Sequence, residues 1–155
     1  MSDARFDDGR EAPLNLGAED AEDLTVLSAL AQDAVFGVGD MSWERGARRF
    51  SILLNRFRWE DAGAERHGPE RVRAILAIEN VVSVASLGLD RSDKDLVLSL
   101  LSVSFEAAEE APGGAVLLTL AGDGAIRITV EAPQARLRDV TRPYGAVSGR
   151  TPQHD

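Results

Sequence analysis

The 155-residue chain has no cysteine, two histidines, and a single lysine among its seventeen basic residues. Without cysteine there is no disulfide framework, no thiolate zinc site and no cysteine nucleophile. The histidines, His67 and His154, fall in a polar loop and beside the C-terminus, which gives no basis for a His-rich metal site or an ordered Ser-His-Asp arrangement. Long apolar runs are also missing. The nearest approach to the roughly 18 to 20 residues that span a bilayer is broken by Glu79 and Asn80. The opening segment MSDARFDDGREA carries acids where a secretory signal carries bases, and it has no apolar h-region. Nucleotide cradles are absent too: GVGDMS lacks the third glycine and the following helix of a dinucleotide site. The expectation is a soluble cytoplasmic protein with no membrane segment and no cofactor.

Positive charge is scarce overall. A net charge of -9 argues against nucleic acid as a partner, because that affinity comes mainly from Lys and Arg displacing counterions from phosphates. The distribution is uneven, however: residues 1–33 hold nine acids against Arg5 and Arg10, and residues 45–73 hold eight arginines against four acids. Attraction between the two regions would neutralise part of any basic patch. Arginine accounts for all the basic residues except Lys94, a bias that fits a GC-rich genome, so a lone arginine carries little functional weight.

An apolar fraction of 44% suffices for one hydrophobic core. Residues 13–140 are expected to form a single domain between a disordered acidic tail, 1–12, and a mobile tail, 141–155. AEDAEDLTVLSALAQDAV predicts an amphipathic helix with Leu24, Leu27, Leu30, Ala31 and Ala34 on one stripe, an acidic first turn, and Asp20 as cap. A short strand is expected near Leu14 to Leu16. From Val35 the period changes to two. VFGVGDMSW and RRFSILLNRFRWE flank the loop ERGA and predict a hairpin in which Met41 faces Phe50, Gly39 faces Ile52 and Gly37 faces Leu54. RVRAILAIENVVSVASLGLD reads as two strands around a bend at Glu79 and Asn80, or as one long strand with a kink, with Val72, Ala74, Leu76 and Ile78 on one face and Val82 and Val84 resuming it. LVLSLLSVSFEA places Val97, Leu101, Val103 and Phe105 on its fuller face. Around Asp123 and Gly124, Val116, Leu118, Leu120 and then Ile126, Ile128, Val130 predict a second hairpin, and ARLRDV adds a short last strand.

About seven strands with short connections favour antiparallel neighbours. The predicted class is α+β: a mainly antiparallel sheet, curled or closed into a partly open barrel, packed with one N-terminal helix. The run of hairpins has the look of a pleckstrin-homology-like barrel, although that fold normally ends in a capping helix.

Two clusters are candidate sites. RRFSILLNRFRWED combines arginines with aromatic rings. Strict alternation would put Arg56 and Arg58 on the same face as Phe50, Ile52 and Leu54, and burying unpaired arginines is expensive. A one-residue bulge near Asn55 would instead align Arg49, Arg56 and Arg58 outside and return Phe57 and Trp59 to the core. These three arginines are the candidate binding residues, since a guanidinium clamps carboxylate or phosphate through paired hydrogen bonds. The second cluster is DRSDKD, where Asp90, Asp93 and Asp95 are weak candidates for a divalent cation but lack the spacing of a calcium loop. A solvated turn is the simpler reading, and Ser92 with Asp95 matches the ends of a capping box.

At GDMSW, LNRFRWE, GLDRSDKDLVLSLLSVSFE, APGG and GAIRITVE the sequence resembles a small family of alphaproteobacterial proteins known only as a domain of unknown function. The resemblance runs from Leu14 to about Asp139 and implies no activity, cofactor or catalytic residue. The function expected from the residues is a non-catalytic interaction module that binds a protein partner through a strand edge or the arginine-bearing face. A binder of a small anionic ligand, such as a nucleotide or phosphorylated metabolite, is the alternative. A metal-dependent enzyme using the aspartate cluster comes third.

Overall fold

The computed structural model describes residues 13–60, 70–90, 92–140 and 144–145. A short strand, β1 (Asn15–Ala18), leads into the helix α1 (Ala21–Ala31). The expected cap is present: the Asp20 side chain accepts a hydrogen bond from the Asp23 backbone N–H at 2.7 Å, and Glu22 and Asp23 occupy the first turn, where carboxylates meet the positive helix end. Leu24, Leu27, Ala31 and, beyond the helix, Ala34 are buried, with Leu30 packed at their margin.

The strands that follow are β2 (Val35–Gly37), β3 (Met41–Glu44), β4 (Arg49–Phe57), β5 (Glu70–Ile78), β6 (Val81–Leu87), β7 (Val97–Ala107), β8 (Gly114–Leu120), β9 (Ala125–Val130), β10 (Ala135–Asp139) and β11 (Tyr144–Gly145). Eleven strands among the described residues exceed the predicted count partly because VFGVGDMSW is not one strand. A 3-10 turn at Val38–Asp40 divides it, and the Asp40 carboxylate accepts the Gly37 N–H at 2.8 Å. β1 and β10 are the short strands expected near Leu14 to Leu16 and in ARLRDV, which the count of seven left out, and β11 was not expected.

Hydrogen-bonded neighbours run β1-β10-β5-β4-β2-β7-β8-β9-β6, with β3 also beside β4 and β11 also beside β5. Every pair is antiparallel. The ends of the path, β1 and β6, do not pair with each other, so the sheet is curled but not closed. α1 packs on β7, β1 and β4. This is the expected α+β class: a mainly antiparallel sheet around one helix.

Side chains alternate across the sheet as the period-two pattern requires. Phe50, Ile52 and Leu54 of β4, Val72, Ala74, Leu76 and Ile78 of β5, and Leu137 of β10 are buried. All six residues predicted for the β8–β9 hairpin are buried as well. At about 1.5–3 kcal/mol for each large apolar side chain enclosed, this inner face supplies the main drive for folding.

Three predicted registers need correction. In the β3–β4 hairpin Met41 pairs with Ile52 and Trp43 with Phe50, two positions from the predicted match. Gly37 and Gly39 do not face Leu54 and Ile52, because the 3-10 turn diverts the chain and β2 meets β4 only at Val35 and Asn55. Along β6 a shift between Val81 and Ser83 buries Val81 and leaves Val82 exposed. In β7 a shift between Leu100 and Ser102 turns Leu98, Leu100 and Val103 inward and leaves Val97 and Leu101 exposed. Each of these bulges reverses which residues of an apolar strand meet the core. The bend at Glu79 and Asn80 is present, with Asn80 in the left-handed region at φ 59°. The expected tails lie outside the described residues, except that Tyr144 and Gly145 pair with Arg71 and Glu70.

Candidate functional site

β4 pairs with β5 residue for residue, from Phe50 opposite Ile78 to Phe57 opposite Arg71. The ladder is unbroken through Asn55, so the predicted bulge is absent. Strict alternation therefore turns Arg56 and Arg58 toward the core, and both are buried. Phe57 points to the outer face, and beyond the strand end Trp59 is exposed.

Burial is tolerated because every N–H of the Arg56 guanidinium has an acceptor. Its Nε and Nη2 donate to the two Asp139 carboxylate oxygens at 3.0 and 3.1 Å. Nη1 and Nη2 also donate to Glu60 at 2.9 and 2.7 Å, and Nη1 reaches the Phe57 carbonyl at 2.9 Å. Asp139 belongs to β10, where strand alternation turns it inward. Its second oxygen accepts the Leu14 backbone N–H at 2.8 Å, which ties the entry to β1 into the same network.

The network reaches the end of α1, whose last turn has no basic residue. Arg56 Nη1 lies 3.5 Å from the Leu30 carbonyl, and the Trp59 indole N–H donates to the Gln32 carbonyl at 2.8 Å. A guanidinium and an indole thus serve the negative helix end from outside the helix. Burial alone would raise the Glu60 carboxyl. Hydrogen bonds from Arg56 and from its own backbone, with the positive charges of Arg56 and Arg58, outweigh that effect and hold it below the usual carboxylate range. Arg58 donates from Nη1 to Glu70 at 3.3 Å and from its backbone to the Glu70 carbonyl at 2.9 Å.

Arg49 is on the opposite side of the sheet. It is half-exposed and donates to Glu79 at 2.9 Å and to Glu44 at 3.5 Å. The predicted trio is therefore split: Arg56 and Arg58 are internal, and Arg49 sits in a separate surface ion pair. In the DRSDKD turn, Asp90 accepts both the backbone N–H and the hydroxyl of Ser92, bonds that lower its pKa. Asp93 accepts the Asp95 N–H at 3.1 Å. Ser92 does not start a helix, since its hydroxyl turns back to Asp90. Among the described residues no three acidic or histidine side chains group as metal ligands.

Two surface features were not singled out from the sequence. The first is an arginine face on the outside of β5 and β10. Across the sheet, Leu53, Ile75, Arg138 and Asn15 align in one row, and Ser51, Ala77, Arg136 and Gly17 in the next. Arg73 opposes Asn55 and Arg71 opposes Phe57, which puts both on the same side. The alternations Arg-Val-Arg and Arg-Leu-Arg were a usable signal, but they are far apart in sequence and only the strand order joins them. The second is the outer edge of β6. At its start the Val81 N–H donates to the Arg48 carbonyl at 2.9 Å, and beyond that point no backbone bond among the described residues reaches this edge.

No significant match is found among curated proteins or solved structures. A family model does match, over residues 14–154, under the description protein of unknown function (DUF2948). With nearly all of its length inside that match, and the same bulged and paired strands lying within it, the chain belongs to the DUF2948 family.

Proposed function

We propose that this protein is a non-catalytic cytoplasmic interaction module that accepts an extended segment of a protein partner along the free edge of β6. The observation behind this reading is the character of that edge. β6 ends the sheet, and its sequence, Val-Val-Ser-Val-Ala-Ser-Leu, contains no charge, proline or glycine. Val82 and Leu87 are 54% and 63% exposed. Sheet edges are ordinarily guarded by lysines, prolines, short length or a covering element, because unpaired N–H and C=O groups recruit other strands. The opposite end of the sheet is guarded in this way: β1 has only four residues. An edge left bare is suited to strand addition, with main-chain bonds giving affinity and alternate side chains giving selectivity.

The small-anion alternative draws less support, since Arg56 and Arg58 give their donors to Asp139, Glu60 and Glu70. The metal alternative is weakened likewise by the turn bonds of Asp90 and Asp93. The test is affinity capture from cell lysate with wild type and with a Val82→Lys, Leu87→Lys variant. Both positions are exposed, so the substitutions guard the edge without emptying the core. Loss of the captured partners in the variant is the expected outcome, and identical partner lists would refute strand addition at β6.

A further inference from the structure

We infer the chemistry of the segment that docks on β6, an inference that rests on strand addition there: its inward side chains are apolar and enter the opening of the sheet between β6 and β3, covering Met41, Trp43, Val84, Leu89 and Leu96. The chain itself frames that opening. β3 leads into the turn Arg45–Arg48, whose last carbonyl accepts the Val81 N–H at 2.9 Å where β6 begins. Past β6 the chain returns to Leu96, whose carbonyl accepts the Val38 N–H at 3.1 Å, and the 3-10 turn beginning at Val38 leads back into β3. β3, the turn, β6 and the return to Leu96 thus form one closed circuit fastened by two backbone bonds. Among the described residues β6 pairs only with β9 and β3 only with β4, so both strands keep a second edge without a strand beside it.

The side chains on this circuit are apolar but only partly enclosed. Met41 and Trp43 stand opposite buried Ile52 and Phe50, and Val84 stands opposite buried Ile128, so all three point to the core side of the sheet. They remain half-buried all the same. Nine half-buried apolar side chains border the core among the described residues, and five of them, these three with Leu89 and Leu96, lie on the circuit. The margin of the core is therefore least complete where two strand edges are unpaired, and a strand added at β6 would remove more of this apolar surface from water.

These features select the occupant. The N–H and C=O groups along β6 call for a donor and an acceptor at each residue, which an extended chain has and a lipid or small apolar molecule lacks. Neither β6 nor the five lining side chains carry charge, and an unpaired charge enclosed among them would be costly. Successive side chains of a strand point to opposite faces, so the segment is apolar at every second residue, and it lacks proline, which removes a donor. The rest of this chain does not supply such a segment: outside the described residues the large apolar side chains are Met1, Phe6 and Val147. The occupant belongs to another protein.

The experiment uses Trp43 as reporter, since Trp59→Phe leaves it the only tryptophan. The probe is an acetylated, amidated peptide of alternating threonine and leucine, as long as the seven residues of β6. Comparators are a peptide of the same composition with the leucines contiguous, and the alternating peptide with every second amide N-methylated. Saturable binding of the alternating peptide is expected, with Trp43 emission moving to shorter wavelength. Val82→Lys with Leu87→Lys should weaken binding about tenfold or more, and Met41→Thr about threefold or more, each variant still unfolding in one cooperative urea transition. Binding that the lysine pair abolishes, with Trp43 emission and the Met41→Thr affinity unchanged, would leave strand addition at β6 standing and overturn this inference alone. Binding indifferent to the lysine pair would remove strand addition, and this inference with it. Failure of the alternating peptide to bind, or equal binding of either comparator, would also overturn it. So would sedimentation showing the protein alone to be a dimer that the lysine pair dissociates, because a second copy would then be the occupant.

Discussion

At the scale of single residues, the cost of burying a charge decided both the sequence-based expectation and the observed structure, in opposite directions. An unpaired internal arginine is costly enough to make a bulge at Asn55 the reasonable expectation. The chain instead keeps β4 regular and supplies Arg56 with Asp139, 83 residues away in sequence, and with Glu60. The partner could not be read from RRFSILLNRFRWED, because Asp139 becomes a neighbour only once β10 lies beside β5. Removing one member of such a network leaves an uncompensated buried charge. Arg56→Ala should therefore lower stability by about 3–5 kcal/mol in urea unfolding, and Arg56→Met combined with Asp139→Leu should recover much of the loss. Glu60 adds a pH dependence. Its folded-state pKa lies below the ordinary value of 4.5, so its contribution is complete above that value and is lost as pH falls through the lower folded value. Urea midpoints measured from neutral to acid pH should show a smaller acid loss in Glu60→Gln than in wild type.

At the scale of elements, legibility followed regularity. The Asp20 cap, the buried stripe of α1 and the β8–β9 hairpin were legible because their chemistry is local: a side-chain oxygen over a free N–H, a 3.6 period, alternation around Asp123 and Gly124. Registers failed where one residue departs from the strand. The Asp40 side-chain bond forms the 3-10 turn that takes Gly37 and Gly39 away from β4, the β3–β4 loop closes over Arg45–Arg48 with Arg48 at positive φ, one residue later than ERGA, and the irregularities in β6 and β7 reversed the faces of apolar runs too uniform in polarity to reveal their phase. Asn80 is the corresponding device at the β5–β6 corner, where its carbonyl accepts the Glu131 N–H at 3.0 Å while its φ is positive. Asn80→Gly should fold with nearly unchanged stability. Asn80→Val, with a branched side chain forced into the left-handed region, should lose about 1–2 kcal/mol by thermal or urea unfolding.

At the scale of the whole molecule, strand order turns local patterns into surfaces. The sequence drew attention to the arginines of RRFSILLNRFRWED, and the sheet divides them: Arg56 ties α1, β4 and β10 together from within, Arg58 bonds to Glu70 of β5, and Arg49 pairs with Glu79 outside. Arg73 and Arg138, unremarkable in sequence, become neighbours because β10 pairs with β5. The same order leaves β6 at the end of the path with an unguarded edge, and recognition by strand addition depends on that edge being free. Native-state amide hydrogen exchange along Ser83–Leu87 in the isolated protein measures it directly. Alternation is expected, with the N–H groups that face β9 exchanging slowly and those on the outer edge exchanging rapidly, against uniformly slow exchange in the central strand β8. Uniformly slow exchange through Ser83–Leu87 would mean that the edge is already covered, and would contradict the proposal that a partner strand docks there.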